Sequence, residues 1–467
     1  VKRLRLCLAA PWRHPFRRFI EGAMRSGAGM TRRRAVGGIA AAALLGMQRR
    51  SFAAGVDVLI VGAGAAGISA AREFERLGLS FALVEARGRI GGRAFTDTSL
   101  GPRFDAGAEI IHFAQDNPWV DIARELDVPI DPSGGRMGGW QVYAGGKPLG
   151  PLERARRWQG FREMEARMAR VEASGRDASL AEAVADLDPD LRAVAASGLL
   201  LVLGEDGERI SVLDNQRLWS GPDFTTVGGY GALVAAYGRG LPVSLSTSVT
   251  AIRWGDGGVE AETTRGVLRA RAAIVTVPVN VLKSGAIRFS PALPAATLGA
   301  LDGMGMGALT KIALRLERPD RFGLGASTTL MDATSAAATT MIEMFPDGRD
   351  LAVAVCGGDF ARSLAASGEA ASIAHVADAL AAMLGSDARK AVAAGKLASW
   401  WADPLSQGAY SICRPGHAGA REALARPVAM RLWFAGEAAA GGGSMTVGGA
   451  TLSARRAAAE CAAGLKG

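Results

Sequence analysis

The sequence predicts an α/β protein. A Rossmann-like dinucleotide-binding domain is assembled from discontinuous segments and carries a second, α+β domain of mixed sheet and helices. Three observations lead there. The stretch Val61–Gly67, "VGAGAAG", follows a short apolar run and opens an amphipathic helix. From Asn117 to about Asp214 the chain reads as mostly helical and charged, and strand-like alternation returns only near Pro242. The chain then closes on a strand, a glycine-rich loop and a last helix. A nucleotide unit near one end and a glycine loop near the other place a single domain across distant segments. At 467 residues there is room for two or three domains.

The elements follow in order. "DVLIV" is a strand, "GISAAREFERLG" an amphipathic helix with Gly78 as its C-cap, and "SFALVE" a second strand, which together make a βαβ unit. Within it Gly62, Gly64 and Gly67 form G-x-G-x-x-G. The first allows the tight turn, the second the close approach of a pyrophosphate, and the third the packing of helix on strand. Glu85, at the end of the second strand, is placed to accept from ribose hydroxyls. Further on, "GDGG" marks a hairpin turn. "TKIALRLE" alternates, with Ile312, Leu314 and Leu316 on one face and Lys311, Ala313 and Arg315 on the other. An alanine-rich helix is expected near 360–385, then the strand "RLWFAG" and the helix "GGATLSARRAAAECAAGL".

Charge narrows the function. The formal net charge is +9, yet residues 1–53 hold 12 Lys/Arg against one acid, while the remainder holds 42 against 44. The body therefore has no electrostatic footprint for nucleic acid. In the leader, Arg32, Arg33 and Arg34 precede an apolar run from Ala35 to Met47, too short to span a bilayer, and Ser51-Phe52-Ala53 offers a small-residue cleavage site. The pattern resembles a twin-arginine export signal, which implies a periplasmic or exported protein and no integral membrane segment. Val1 is an unusual first residue and Met30 an alternative start. Cys7, Cys356, Cys413 and Cys461 make neither a disulfide framework nor a metal spacing, although a Cys356–Cys413 bridge is left open; the four histidines show no metal pattern.

The segment after the second strand chooses the dinucleotide. "EARGRIGGR", Glu85–Arg93, resembles the E-A-x-x-R-x-G-G-R signature of flavin-containing amine oxidases. "DAGAEIIH", "SVTAI", "VTVPVNVLKSGAIRFSPALP", "GMGALTKIAL", "SWWADPLSQGAYS" and "LWFAGEAAAGGGSMTVGGATLSARRAA" are similar, in order, to later segments of that family. The resemblance implies FAD contacts at Gly62, Gly64, Ala66, Gly67, Glu85, Ala86, Arg87, Gly91, Gly92 and Arg93. It implies others at Gly107, Ala108, Glu109, Ile110, Val249, Trp400, Gly436, Glu437, Thr446 and Val447. Glu437 would bind ribityl hydroxyls, and the helix after Thr446 would aim its N-terminus at the flavin. Segments 54–115, 216–290 and 396–467 would form the FAD domain, and 116–215 and 291–395 the substrate domain. Ala409 stands where monoamine oxidases carry a tethering cysteine, so the FAD is expected to be non-covalent.

The same resemblance implies catalytic roles for Lys311, which holds a water at flavin N5, for Trp400 and Tyr410 as an aromatic wall, and for Thr446. Thr446 stands where monoamine oxidases have a second tyrosine, a departure shared with the polyamine-oxidase and histone-demethylase branch. On residues alone, Lys311 reads as a solvated lysine, Trp400 as core packing with Trp401 turned away, and His112 as a core histidine. The implied activity is oxidation of a small-molecule amine, with hydride passing to the flavin and the imine hydrolysing to aldehyde or ketone. Oxygen or a redox protein would be the final acceptor. No acid–base side chain is demanded if the amine arrives neutral. Alternatives are an amino-acid oxidase, whose carboxylate partner could be Arg136 or Arg217, a desaturase, or a non-catalytic flavin carrier. No metal site is expected.

Overall fold

In the computed structural model, residues 55–134 and 139–466 are described. The leader with its arginines, and Arg136, lie outside them. The first strand, Val56–Val61, is buried over its last four residues, as expected for a strand covered on both faces. It pairs in parallel with Phe81–Val84 on one side and with Gly266–Val275 on the other. The sheet runs Val243–Ser244, Phe81–Val84, Val56–Val61, Gly266–Val275, Gly258–Thr263, Val249–Gly255 and Arg288–Ser290. Leu432–Phe434, close to the end of the chain, pairs in parallel with the C-terminal part of Gly266–Val275. The "GDGG" turn joins Val249–Gly255 to Gly258–Thr263 as an antiparallel hairpin.

The helix Ala65–Leu77 ends at Gly78, whose φ of 70° is left-handed. It lies against the last helix, Val447–Lys466, with Ser69 and Thr451 hydroxyls 3.2 Å apart. Ala66, Ala70, Ala454, Ala457 and Ala458 are buried in the same core. Side chains this small let helix and strand approach closely. At Gly67 the limit is reached, since an added Cβ would lie 1.8 Å from the Gly62 carbonyl oxygen.

A second sheet runs Val392–Ser399, Leu309–Leu316, Leu351–Gly357, Thr340–Met344, Thr328–Asp332, Trp140–Ala144 and Lys147–Pro148. The strand Trp140–Ala144 interrupts a region expected to be helical; around it stand the helices Pro118–Glu125, Pro151–Ser174 and Pro189–Leu203. The helix Gly358–Leu384 covers one face of the second sheet and is broken at Gly368, whose φ is 85°. Ile312, Leu314 and Leu316 face that helix. The opposite face is also covered: Ala313, Leu351 and Val353 pack on Phe104 and Ala106. The polar side of "TKIALRLE" is thus interior at its Lys311 end, where Lys311 is 7% exposed, and opens toward solvent at Arg315.

Cys356 and Cys413 are unpaired and lie in different cores, which closes the question of a bridge between them. Burial pushes the Cys356 thiol up to about 12.

The two ends of the first helix separate steric from conformational cost. Gly67→Ala must displace backbone and should cost about 1–3 kcal/mol. Gly78→Ala meets nothing within 4 Å and should cost about 1–2 kcal/mol, from its left-handed φ alone. Denaturant unfolding measures both. The Gly67 variant should also lose cofactor and the Gly78 variant keep it; equal cofactor retention would refute the close-approach role of Gly67.

Candidate cofactor and substrate site

The glycine loop stands at the C-terminal end of the first strand. Gly62 has a φ of 100°, and Gly64 caps the following helix without any side-chain hydrogen bond, which leaves the first-turn amides available to a ligand. Gly91 and Gly92, with φ of 94° and 56°, lie directly over this loop: Gly91 N–H donates to Ala63 O at 2.8 Å, and a Cβ on Gly92 would stand 3.3 Å from Gly64 Cα. Glu85 is buried. It accepts from Ala63 N–H and from Arg87 N–H, both at 2.8 Å, so its carboxylate sits at the loop. Ala66, Ala86 and Ala108 flank the same turns, and Ala108 N–H donates to Arg93 O at 3.2 Å. A glycine cradle, free helix amides and a carboxylate at the second strand's end fit a dinucleotide such as FAD.

The arginines of "EARGRIGGR" are each engaged. Arg87 makes two 2.7 Å bonds to Asp403 and one of 2.9 Å to the Ser406 hydroxyl. Arg89 stacks on Phe95 with its guanidinium carbon 4.0 Å from the ring centroid, and burial lowers its pKa. Arg93 donates to Ala409 O at 2.7 Å and to Glu437 at 3.0 Å, across 316 and 344 positions of sequence. Glu437 also accepts the Ser411 hydroxyl at 2.6 Å, and Ser411 accepts from Arg421, which grips Asp214 through bonds of 2.8 and 2.9 Å. Burial alone would raise the Glu437 pKa; the Arg93 charge, the Ser411 hydroxyl and Arg421 outweigh it and hold the carboxyl below its ordinary range. Gly436, with φ 131°, donates to the Ser453 hydroxyl at 3.2 Å. Neither Asp214 nor Arg421 carries any signal in the sequence.

Lys311 is not solvated. Its Nζ lies 2.5 Å from Glu109 Oε2 and donates to Asp105 O at 2.9 Å. Trp400 is buried, donates from Nε1 to Ala106 O at 3.0 Å, and lies against Gly107, where a Cβ would stand 3.2 Å from its ring. Its neighbour Trp401 points elsewhere, under the Arg362 guanidinium at 4.5 Å. Tyr410 donates its hydroxyl to Val202 O at 2.7 Å, and burial, then the nearby Glu437 charge, raises its pKa. Thr446 caps the last helix: its hydroxyl donates to Gly443 O at 2.7 Å and accepts from Gly449 N–H at 2.9 Å. Val447 O accepts from Trp119 Nε1 at 3.3 Å.

Other sites divide. Ile110 pairs with Thr225 in a short strand, and Val249 begins the hairpin strand. His112 is not a core histidine; its side chain is 46% exposed and its Nδ1 lies 2.9 Å from Asp223. Arg217 donates to Ala418 O at 2.8 Å. Trp219, unmarked in the sequence, is half exposed beside Gly442 and Gly443 and packs edge-on against Phe113 at 5.3 Å. Among the described residues the one cluster with metal-ligand spacing is Glu205, Asp206 and Asp359, and Arg209 and Arg362 already pair with it.

Comparison with known proteins agrees with this geometry. Residues 60–126 match a model of an NAD(P)-binding Rossmann-like domain. The chain is 28% identical over 440 residues to lysine-specific histone demethylase 1 homolog 2 of Arabidopsis thaliana, covering 86% of this chain and 58% of that protein. It is 28% identical over 451 residues to polyamine oxidase 4 of Oryza sativa subsp. japonica, covering 90% and 91%. The chain thus spans little more than half the length of the demethylase relative. Its fold is shared with cyclohexylamine oxidase from Brevibacterium oxydans IH-35A, at a TM-score of 0.76, 22% identity and coverage of 89% and 100%. It is shared with a putrescine oxidase at 0.72, 22% identity and coverage of 87% and 98%. Residues 150–462 match the model for flavin containing amine oxidoreductase, and on that match the chain belongs to this flavoprotein family.

Proposed function

We propose that the protein oxidises a small-molecule amine with FAD. One observation carries the reading. Segments separated by hundreds of positions meet around a single set of loops: Arg93 with Ala409 and Glu437, Arg87 with Asp403, Trp400 with Ala106, and Lys311 with Asp105. The flavin, when bound, supplies the hydride acceptor. The glycine loop, the adjoining helix amides and Arg93 would hold its pyrophosphate, Glu85 its adenosine ribose, and Glu437 its ribityl chain. Ala409 offers no thiol, so the cofactor is held without a covalent bond. Trp400 and Tyr410 line the place where the amine lies, and Lys311 holds a water there for proton movement and for hydrolysis of the imine. The product is an aldehyde or ketone, and oxygen or a redox protein takes the electrons. For the amino-acid oxidase alternative, Arg217 is engaged by the Ala418 carbonyl, while Arg136 lies outside the described residues. The leader is proposed to export the protein folded, with FAD already loaded.

Anaerobic mixing of the holoenzyme with benzylamine, putrescine, spermine, cyclohexylamine and an L-amino acid should bleach the flavin with at least one amine. Denaturation should release all the FAD. No bleaching by any amine would sink the activity, and colour left on the polypeptide would sink the non-covalent assignment. Lys311→Met should slow turnover by about 100-fold with FAD retained. It also strands the Glu109 carboxylate, so the double variant Glu109→Gln/Lys311→Met should regain stability without regaining turnover. Recovery of turnover in the double variant would remove Lys311 from the chemistry. Replacing Arg32, Arg33 and Arg34 with Lys should leave the protein in the cytoplasm on cell fractionation; unchanged export would refute the twin-arginine route.

A further inference from the structure

An alkylammonium of ordinary pKa, about 10, is only about one part in a thousand neutral at pH 7. An oxidase that needs the free amine therefore gains from a base that takes the substrate's proton. The surroundings of Lys311 contain one. Besides the 2.5 Å contact with Glu109, a second glutamate faces the same place from the second sheet. In register, Lys311, Val355 and Met341 form one row across three strands, and Ala313, Val353 and Glu343 form the row two residues along. Glu343 therefore shares the face that carries Lys311, beneath the segment that supplies Asp105 and Glu109.

The charges around this face are unbalanced. Asp105 is engaged by the Thr96 hydroxyl at 2.5 Å and by Tyr230 and Gly231 amides at 2.9 and 3.2 Å. Glu109 is paired with Lys311. Arg315 and Lys396, further along the same face, are tied to Glu317 at 2.6 Å and to Glu369 at 3.3 Å. Arg103 and Arg349 lie on the outer side, where both pair with the half-exposed Asp347 at 3.7 and 2.9 Å. Among the described residues, no cation forms an ion pair with Glu343. Burial, then the charge of Glu109, raises its pKa to about 7, while a Ser327 hydrogen bond and Lys311 pull the other way. Ser327 in turn accepts from the Asp347 amide at 3.1 Å, so the cluster reaches from Lys311 toward the surface.

We propose that Glu109 and Glu343, both partly buried, act through Lys311 as a proton acceptor for an alkylammonium substrate, an inference that rests on the amine-oxidation reading. Lys311 passes an Nζ–H proton to the carboxylate of Glu109, which shares it with Glu343. The lone pair left on Nζ accepts the proton of the substrate ammonium, whose N–H bond breaks. Lys311 ends as it began, the substrate keeps its electron pair as a free amine, and the glutamates have gained one O–H bond. Both glutamates are positioning residues, since they reach the substrate only through the lysine.

Two measurements test this. In the amine-free holoenzyme, infrared difference spectra should show a carboxyl C=O band that disappears as pH rises through about 7 and is missing from Glu343→Gln. In anaerobic stopped-flow with the amine that bleaches fastest, the reduction rate should rise with pH through the same inflection. Glu343→Gln should lose the inflection, run at least about tenfold slower at neutral pH and recover at alkaline pH, where the amine is already neutral. Glu109→Gln should do the same with FAD retained. An infrared band that is absent, or that survives in Glu343→Gln, overturns the proposal, as does an inflection unchanged in both variants. Failure of every amine to bleach the flavin overturns the activity instead, and the infrared result stands apart from it.

Discussion

Ser411 stands between two enclosed charges, Arg421 on one side and Glu437 on the other, and the geometry of the site follows from satisfying both. A lone ion in such a place costs several kcal/mol, and removing one partner of a buried pair costs about 3–5 kcal/mol. The cost is met because the charges balance: Asp214 and Glu437 against Arg421 and Arg93. Each of the four comes from a different part of the chain. Ser411 follows Ala409 and Tyr410, so the same hydroxyl that serves the two charges also fixes the strand carrying the tyrosine. Arg93 ties the carbonyl of Ala409 to the loop that follows the glycine pair. The loop after the glycine pair and the strand carrying Tyr410 are thereby held in one frame by these hydrogen bonds.

Around that frame the backbone itself makes the contacts. A Cβ would lie 1.8 Å from Gly62 O at Gly67, 1.7 Å from Arg93 O at Gly107, and 1.8 Å from Gly443 O at Gly449. In all three places a side chain is excluded so that two loops can touch. Such loops present peptide N–H groups to a ligand, which suits a phosphate or the electron-rich edge of a ring better than any flexible side chain could. Thr446 completes the arrangement by capping the helix just after the last of these contacts.

What could be read from the sequence is what depends on near neighbours. The glycine loop, the Gly78 cap and the "GDGG" hairpin each follow from local backbone needs, and all three stand in the structure. Lys311 shows the limit. Its alternating pattern is that of a strand with one wet face, but the face is covered by Phe104 and Ala106, some 200 positions earlier, and no local rule anticipates that cover. The partnership of Glu109 with Lys311 is equally hidden, because the two stand 202 positions apart. Arg421 in "AREAL" looks like any surface arginine, and only the fold makes it the most enclosed charge of the site. Trp140–Ala144 is short and flanked by glycine pairs, and it is held as a strand by pairing with Thr328–Asp332.

The charge clusters around Ser411 and around Lys311 differ in their balance of sign. Around Ser411 the signs cancel, and each ion has a fixed partner; such a network holds shape and has no reason to change its proton count. Around Lys311 the acids exceed the cation, and burial first and the Glu109 charge second raise the proton affinity of Asp105 and Glu343. An unbalanced negative cluster attracts a cation before it takes a proton. In the proposed proton transfer, an ammonium approaching Lys311 would meet a field that favours its arrival, and passing its proton into the cluster would cancel that attraction and leave a neutral amine. On that proposal, binding of the charged form and release of the neutral form would be two consequences of one surplus of charge, which a balanced cluster could not provide.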